Sequence, residues 1–130
     1  MQYRTVPKTQ DKLSVLGYGA MRLPSRGGLI REKETRDQLL YAVSQGVNYI
    51  DTGFPYHGGA AEPMIGKIIS QGGCRDRVHI ATKLPPWSVE KTEDMDHILN
   101  EQLRRMKTDR IDYYLLHGIA TRNEWERMLG

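Results

Sequence analysis

Short runs rich in β-branched and aromatic residues alternate with longer segments of helical period along this chain, and that alternation admits few architectures. Strands joined by helices run parallel, because each helix carries the chain back to the end of the sheet where the next strand begins. The strand-like runs are residues 13–19 (LSVLGYG), 47–52 (VNYIDT), 78–83 (VHIATK) and 111–117 (IDYYLLH). Helical segments occupy 34–45, 62–70 and 92–106, and another starts at Asn123. The expected class is α/β, with about four parallel β/α units. Residues 3–6 can pair with 11–14 as a small N-terminal hairpin that caps one end.

The punctuation agrees with this division. Leu39, Leu40 and Val43 recur at helical spacing, and Gly46 stands where a left-handed helix end is wanted. Residues 53–60, with three glycines and a proline, form a loop. Met64, Ile65, Ile68 and Ile69 share one side of the second helix, and Pro63 is tolerated in its first turn. Pro85 and Pro86 stop the third strand, and Met95, Ile98, Leu99, Leu103 and Met106 face inward from the helix after it. Trp125, Met128 and Leu129 mark the last helix, which has run about two turns at Gly130. The expectation is a single domain, 1–130, truncated before any later β/α units.

Composition narrows the function. A chain of 130 residues, 38% hydrophobic and 27% charged, is an ordinary water-soluble domain. The net charge of +3 comes from Lys and Arg scattered among acids, not from a stripe, which argues against nucleic acid. A mildly basic field suits an anionic cofactor instead. The lone Cys74 allows no internal disulfide and lacks neighbours at metal-ligand spacing, so it reads as a loop thiol. With no leader and no apolar run near ~20 residues, the expected location is cytoplasmic, away from membranes.

Functional groups of parallel α/β folds gather at the carboxyl ends of strands. Asp51, Lys83 and His117 stand at three successive strand ends, and Tyr56 follows Asp51 in the adjoining loop. Reduction of a carbonyl needs a proton donor at its oxygen, and a phenol with an ordinary pKa near 10 donates poorly unless its conjugate base is stabilised. Lys83 can supply that stabilisation, Asp51 can keep Lys83 charged, and His117 can hydrogen-bond the substrate oxygen. Singly, the four read as a turn cap, a loop aromatic, a solvated strand end and an edge histidine. Their joint placement on one rim favours chemistry.

These residues lie in LGYGAMRLP (16–24), GVNYIDTGFPYHGGAAEPMIGKI (46–68), VHIATKLP (78–85) and RIDYYLLHG (110–118). In chain order and spacing they resemble the aldo-keto reductase superfamily. That resemblance implies the N-terminal half of a (β/α)8 TIM barrel and NAD(P)H-dependent reduction of an aldehyde or ketone, with NADP(H) the expected cofactor and NAD(H) left open. It implies Tyr56 as general acid, Lys83 as the group that eases its proton release, Asp51 as the support of Lys83 and His117 as the group that orients the carbonyl. Gly19, Ala20 and Met21 would lie against the nicotinamide ribose, with Asp51 nearby, and Trp87 would line the pocket for a small carbonyl substrate.

The chain departs from the family pattern in two ways. Gly53 stands where many relatives have Ala, which loosens the backbone beside Asp51. The family grips the cofactor largely through later units, and there is no GxGxxG fingerprint here. Alone, the chain is expected to be weak or inactive, and its open sheet edges favour self-association. The YHGG stretch also resembles a branch with a C-terminal iron-sulfur extension, which would fall beyond Gly130. The alternative within the superfamily is a non-catalytic nicotinamide-binding or regulatory subunit, resembling channel-associated β subunits.

Overall fold

A computed structural model describes residues 1–129. Its centre is a parallel sheet of four strands in the order β3 (Tyr18–Gly19), β6 (Tyr49–Asp51), β7 (His79–Leu84), β8 (Tyr113–Leu116). Helices α1 (Glu32–Ser44), α2 (Ala61–Gln71) and α3 (Thr92–Met106) provide the crossovers, and α4 (Arg122–Leu129) follows β8. Two antiparallel hairpins flank the sheet, β1 (Tyr3–Thr5) with β2 (Lys12–Ser14) and β4 (Ser25–Arg26) with β5 (Leu29–Ile30). The α/β class, the parallel order and the N-terminal hairpin are as the sequence predicts.

The boundaries differ in two places. The expected first strand at 13–19 is divided. Ser14 ends the hairpin, its Oγ donates to the Leu16 carbonyl at 2.6 Å, and Val15 and Leu16 are left exposed in the bend. Only Tyr18 and Gly19 then pair with Ile50 and Asp51. The β4–β5 hairpin, built on Gly27 and Gly28 at positive φ, lies where a plain loop is expected. Cys74, expected as a loop thiol, does lie outside helix and strand, but it is fully buried in the core, and burial raises its pKa.

Helices cover one face of the sheet. Leu39 and Val43 of α1, Ile65, Ile68 and Ile69 of α2, and Met106 of α3 pack on Ile50 and Ile80. Each such isoleucine contributes about 1.5–3 kcal/mol through burial. Met95, Leu99 and Leu103 of α3 are half-buried, while Ile98, Gln102 and Met106 are fully so. The helices approach closely where α2 has no side chain, since a Cβ on Gly66 would stand 2.1 Å from the Met106 carbonyl oxygen.

The opposite face takes its residues by alternation. In the register Asp51↔Ala81 and Lys83↔Leu115, the inward side chains are Tyr49 and Asp51, His79, Ala81 and Lys83, then Tyr113, Leu115 and His117. The aromatic ones sit at the bottom, with Tyr113 5.6 Å from Tyr49 and 6.0 Å from His79 between ring centroids. The N-terminal hairpin closes that end, because the Tyr113 hydroxyl donates to Asp11 Oδ2 at 2.6 Å. Arg75 fixes β7 against β8 from outside, donating to Asp112 Oδ2 at 2.7 Å and to the carbonyls of Val78 and Arg110 at 3.0 and 2.9 Å. Among the described residues, no helix is long and apolar enough to cross a membrane.

The packing of α2 on α3 yields a first test. Gly66→Ala should lower unfolding stability by about 1–3 kcal/mol, because the obstructing atoms are backbone. Gly19→Ala, whose Cβ would meet nothing within 4 Å, should leave stability unchanged in the same urea titration.

Candidate active site

The parallel register brings three of the four predicted side chains to one end of the inner face, and the turn after β6 adds the fourth. Lys83 is the hub. Its Nζ donates to Asp51 Oδ1 at 2.8 Å and to the Thr52 carbonyl at 2.6 Å, and lies 4.8 Å from the centroid of the Tyr56 ring. The Lys83 and Asp51 side chains are 14% and 35% exposed, so the ammonium is largely withdrawn from water and the carboxylate only partly. Burial alone would lower the Lys83 pKa, but the hydrogen bond to Asp51 and the nearby Tyr56 phenol outweigh it and hold the ammonium above its ordinary range.

Tyr56 stands in a 3-10 turn, Tyr56–Gly59, inside which His57 and Gly58 take left-handed conformations at φ 54 and 62. Its ring rests on Gly53, where a Cβ would meet ring atoms at 2.9 to 3.1 Å. This corrects the expectation that Gly53 merely loosens the backbone beside Asp51. It is buried, and it makes the seat on which the phenol ring lies. An alanine there would push the ring away.

His117 completes the rim. Its ring meets Tyr56 edge-on at 5.6 Å and 89°, and its backbone N–H extends the β7–β8 ladder to the Leu84 carbonyl at 3.0 Å. Nδ1 is buried and has no hydrogen-bond partner among the described residues. Burial first, and then the Lys83 ammonium, lower the imidazole pKa, against an opposing pull from Asp51. The shift favours the neutral imidazole, which suits the ring to a hydrogen bond.

Trp87, expected at the substrate pocket, is exposed with its ring 5.2 Å from that of His117. The two, with Arg127 of α4, border a cavity of about 70 Å³. Larger cavities of about 250 and 510 Å³ lie away from the rim, between the ends of α2 and α3 and between α3 and α4. The residues expected to hold a cofactor divide. Gly19 opens onto free space and Met21 is exposed, whereas the Ala20 side chain is fully buried and its N–H is taken by the Asp51 carbonyl at 2.8 Å. Ala20 thus braces the rim from within. Among the described residues no group of three His, Cys, Asp or Glu side chains could hold a metal ion.

Three residues here escape the sequence reading. His57 Nε2 accepts the Leu23 N–H at 2.9 Å and so ties the loop after β3 to the loop carrying Tyr56. Glu62 and Arg105 pair behind the same loop. The YHGG stretch is visible in sequence, but nothing in its spacing reveals that its histidine accepts from a backbone amide across 34 residues.

A parallel sheet with crossover helices on one face and an acid, a phenol, an ammonium and an imidazole on one rim belongs to the barrel-type α/β class. The profile of the Aldo/keto reductase family matches residues 15–129, and the chain belongs to that family of oxidoreductases. It is 30% identical over 126 residues to the aldo-keto reductase YhdN of Bacillus subtilis, covering 90% of this chain and 38% of that one. Over 124 residues it is 30% identical to a probable voltage-gated potassium channel subunit beta of Arabidopsis thaliana, covering 90% and 37%. An aldo-keto reductase from Klebsiella pneumoniae, solved in complex with NADPH, superposes with a TM-score of 0.77 at 27% identity, over 99% of this chain and 46% of that one. The four-stranded sheet is accordingly the first part of a (β/α)8 barrel, and the chain spans less than half the length of these relatives.

The imidazole gives the second test. In NMR titrations His117 should titrate below its ordinary value of 6.5. Lys83→Met, which removes one of the two lowering causes, should move that midpoint upward. An unmoved midpoint would show that the ammonium does not reach the ring.

Proposed function

We propose that this chain carries the proton-donating half of a nicotinamide-dependent carbonyl reductase acting on a small aldehyde or ketone. The observation that carries the reading is Lys83 Nζ, hydrogen-bonded to Asp51 at 2.8 Å and lying 4.8 Å from the Tyr56 ring centroid. Tyr56 donates its phenolic proton to the carbonyl oxygen, and the Lys83 ammonium stabilises the phenolate left behind. Asp51 holds the ammonium in place and offsets its charge. His117, neutral, offers a ring N–H to the same oxygen and orients the carbonyl. Trp87 walls the substrate side.

NADP(H) suits the rim, because Gly19 leaves open space beside Asp51 and Met21 is exposed to a ligand there. When bound, the reduced nicotinamide supplies the hydride. Gly19 and Met21 would hold its ribose side, and His57, through its bond to Leu23, would keep their loop in register with Tyr56. We propose a cytoplasmic location, with which the buried, reduced Cys74 thiol is compatible.

A non-catalytic reading draws on the likeness to the channel subunit, since a fold of this kind does not guarantee turnover. NADPH fluorescence followed by an aldehyde panel separates the two. The catalytic reading expects oxidation that falls by about 10²–10⁴-fold in Tyr56→Phe while NADPH binding persists. Binding with no oxidation of any aldehyde supports the regulatory reading or a fragment inactive alone, and oxidation that survives Tyr56→Phe removes the mechanism.

We further infer that the 130 residues act as one partial barrel domain, weak or inactive alone, whose open side is covered by a second copy. Along β8, Tyr114, Leu115 and Leu116 are 39%, 40% and 36% exposed, a usable apolar edge. Light scattering after size exclusion should report a dimer. A clean monomer at every concentration counts against pairing.

A further inference from the structure

Behind the rim lies a charge that the proposed chemistry leaves unused. Glu62, in the first turn of α2, is fully buried. Its Oε1 accepts from Thr82 Oγ1 and from Gln102 Nε2, both at 2.6 Å. Its Oε2 faces Arg105 Nε at 3.2 Å, an ion pair without hydrogen-bond alignment, and the Arg105 side chain is 13% exposed. Neither charge would be tolerated there without the other.

Arg105 reaches from this pair to the loop carrying the phenol. Its Nη2 donates to the carbonyls of Phe54, at 3.4 Å, and of Gly59, and the guanidinium lies 4.5 Å from the centroid of the Phe54 ring. Those two carbonyls bracket Tyr56. Gln102 Nε2 meanwhile contacts Thr82 Oγ1 at 3.3 Å and the Lys83 carbonyl at 3.2 Å. One buried network therefore touches the backbone on both sides of the Lys83–Tyr56 contact.

The loop needs such support. Two consecutive left-handed residues, His57 and Gly58, are not a conformation that a short segment holds unaided, and its own backbone bonds are few. Proton transfer, in turn, tolerates little error, since a displacement of about 1 Å can cost about a hundredfold in rate.

We propose that Arg105 and Glu62 are positioning residues for proton transfer. Arg105 straps the 54–59 loop to α3, and Glu62 holds the strap so that Tyr56 stays against Lys83. The proposal rests on Tyr56 being the proton donor, and its test separates the two ideas. In the full 130-residue chain, Arg105→Met, Arg105→Lys and Glu62→Gln are compared by NADPH-dependent aldehyde reduction and by amide hydrogen exchange.

Arg105→Met should lower kcat by about tenfold or more while KM for NADPH stays within about threefold. Exchange in 54–60 should rise about tenfold, with 79–84 still protected. Glu62→Gln should show the same pattern more weakly, and Arg105→Lys should recover part of kcat. Unchanged kcat together with unchanged exchange in 54–60 overturns the proposal. So does an equal loss of protection in both segments, or failure of the variants to fold, because either marks a role in general stability. Because the chain alone is inferred to be weak or inactive, a parent chain that reduces no aldehyde leaves the proton-donor reading untouched, and the exchange contrast alone then decides whether Arg105 is a strap.

Discussion

Everything on the working rim depends on one parity. Parallel pairing with Asp51 opposite Ala81 and Lys83 opposite Leu115 sends the odd-numbered residues of β6 and β7, and those of β8 with its continuation to His117, to the face away from the helices. A slip of one residue in β7 would exchange Lys83 for Thr82, putting an ammonium under the helices and Ile80 in the open. The register is protected by what each face demands. Ile50 and Ile80 must meet Ile65, Ile68 and Ile69, and Thr82 must meet Glu62, so Lys83 has nowhere else to go.

That placement creates two charge problems, and each is met locally. Lys83, largely removed from water, has the Asp51 carboxylate and the Thr52 carbonyl as acceptors. Glu62, with no exposure at all, has the Arg105 guanidinium and two neutral donors. Removing one partner of such a pair costs far more than the pair contributes. Buried Arg105 also reaches the carbonyls at both ends of the Tyr56 loop, so the loop is held by the same residues that join α2 to α3.

Much of the fold was legible in the chain. The alternation of periods gave the α/β class, and Gly46, now at φ +90 after α1, was readable as a helix end. The meeting of the four side chains on one rim was legible because Asp51, Lys83 and His117 each close a strand-like run. Other features were not. A glycine carries no sign of what approaches it, so Gly53 read as slack where it is a seat for Tyr56, and Ala20 read as a cofactor contact where it faces the core. The bend at Val15 and Leu16 follows from a hydrogen bond of Ser14 and from Asn48, 34 residues away, bonding Ser14 through N–H and Oδ1.

By itself, then, the sequence determined which chemical groups reach the rim, because side-chain period and strand ends are local properties of a chain. Only the tertiary structure decided how they are held. The lowered pKa of His117 and the Glu62–Arg105 strap come from burial and from contacts between residues 20 to 50 positions apart or more, which no local pattern encodes, and the seat under Tyr56, though made by Gly53 only three residues away, depends on how the folded loop lays the ring back.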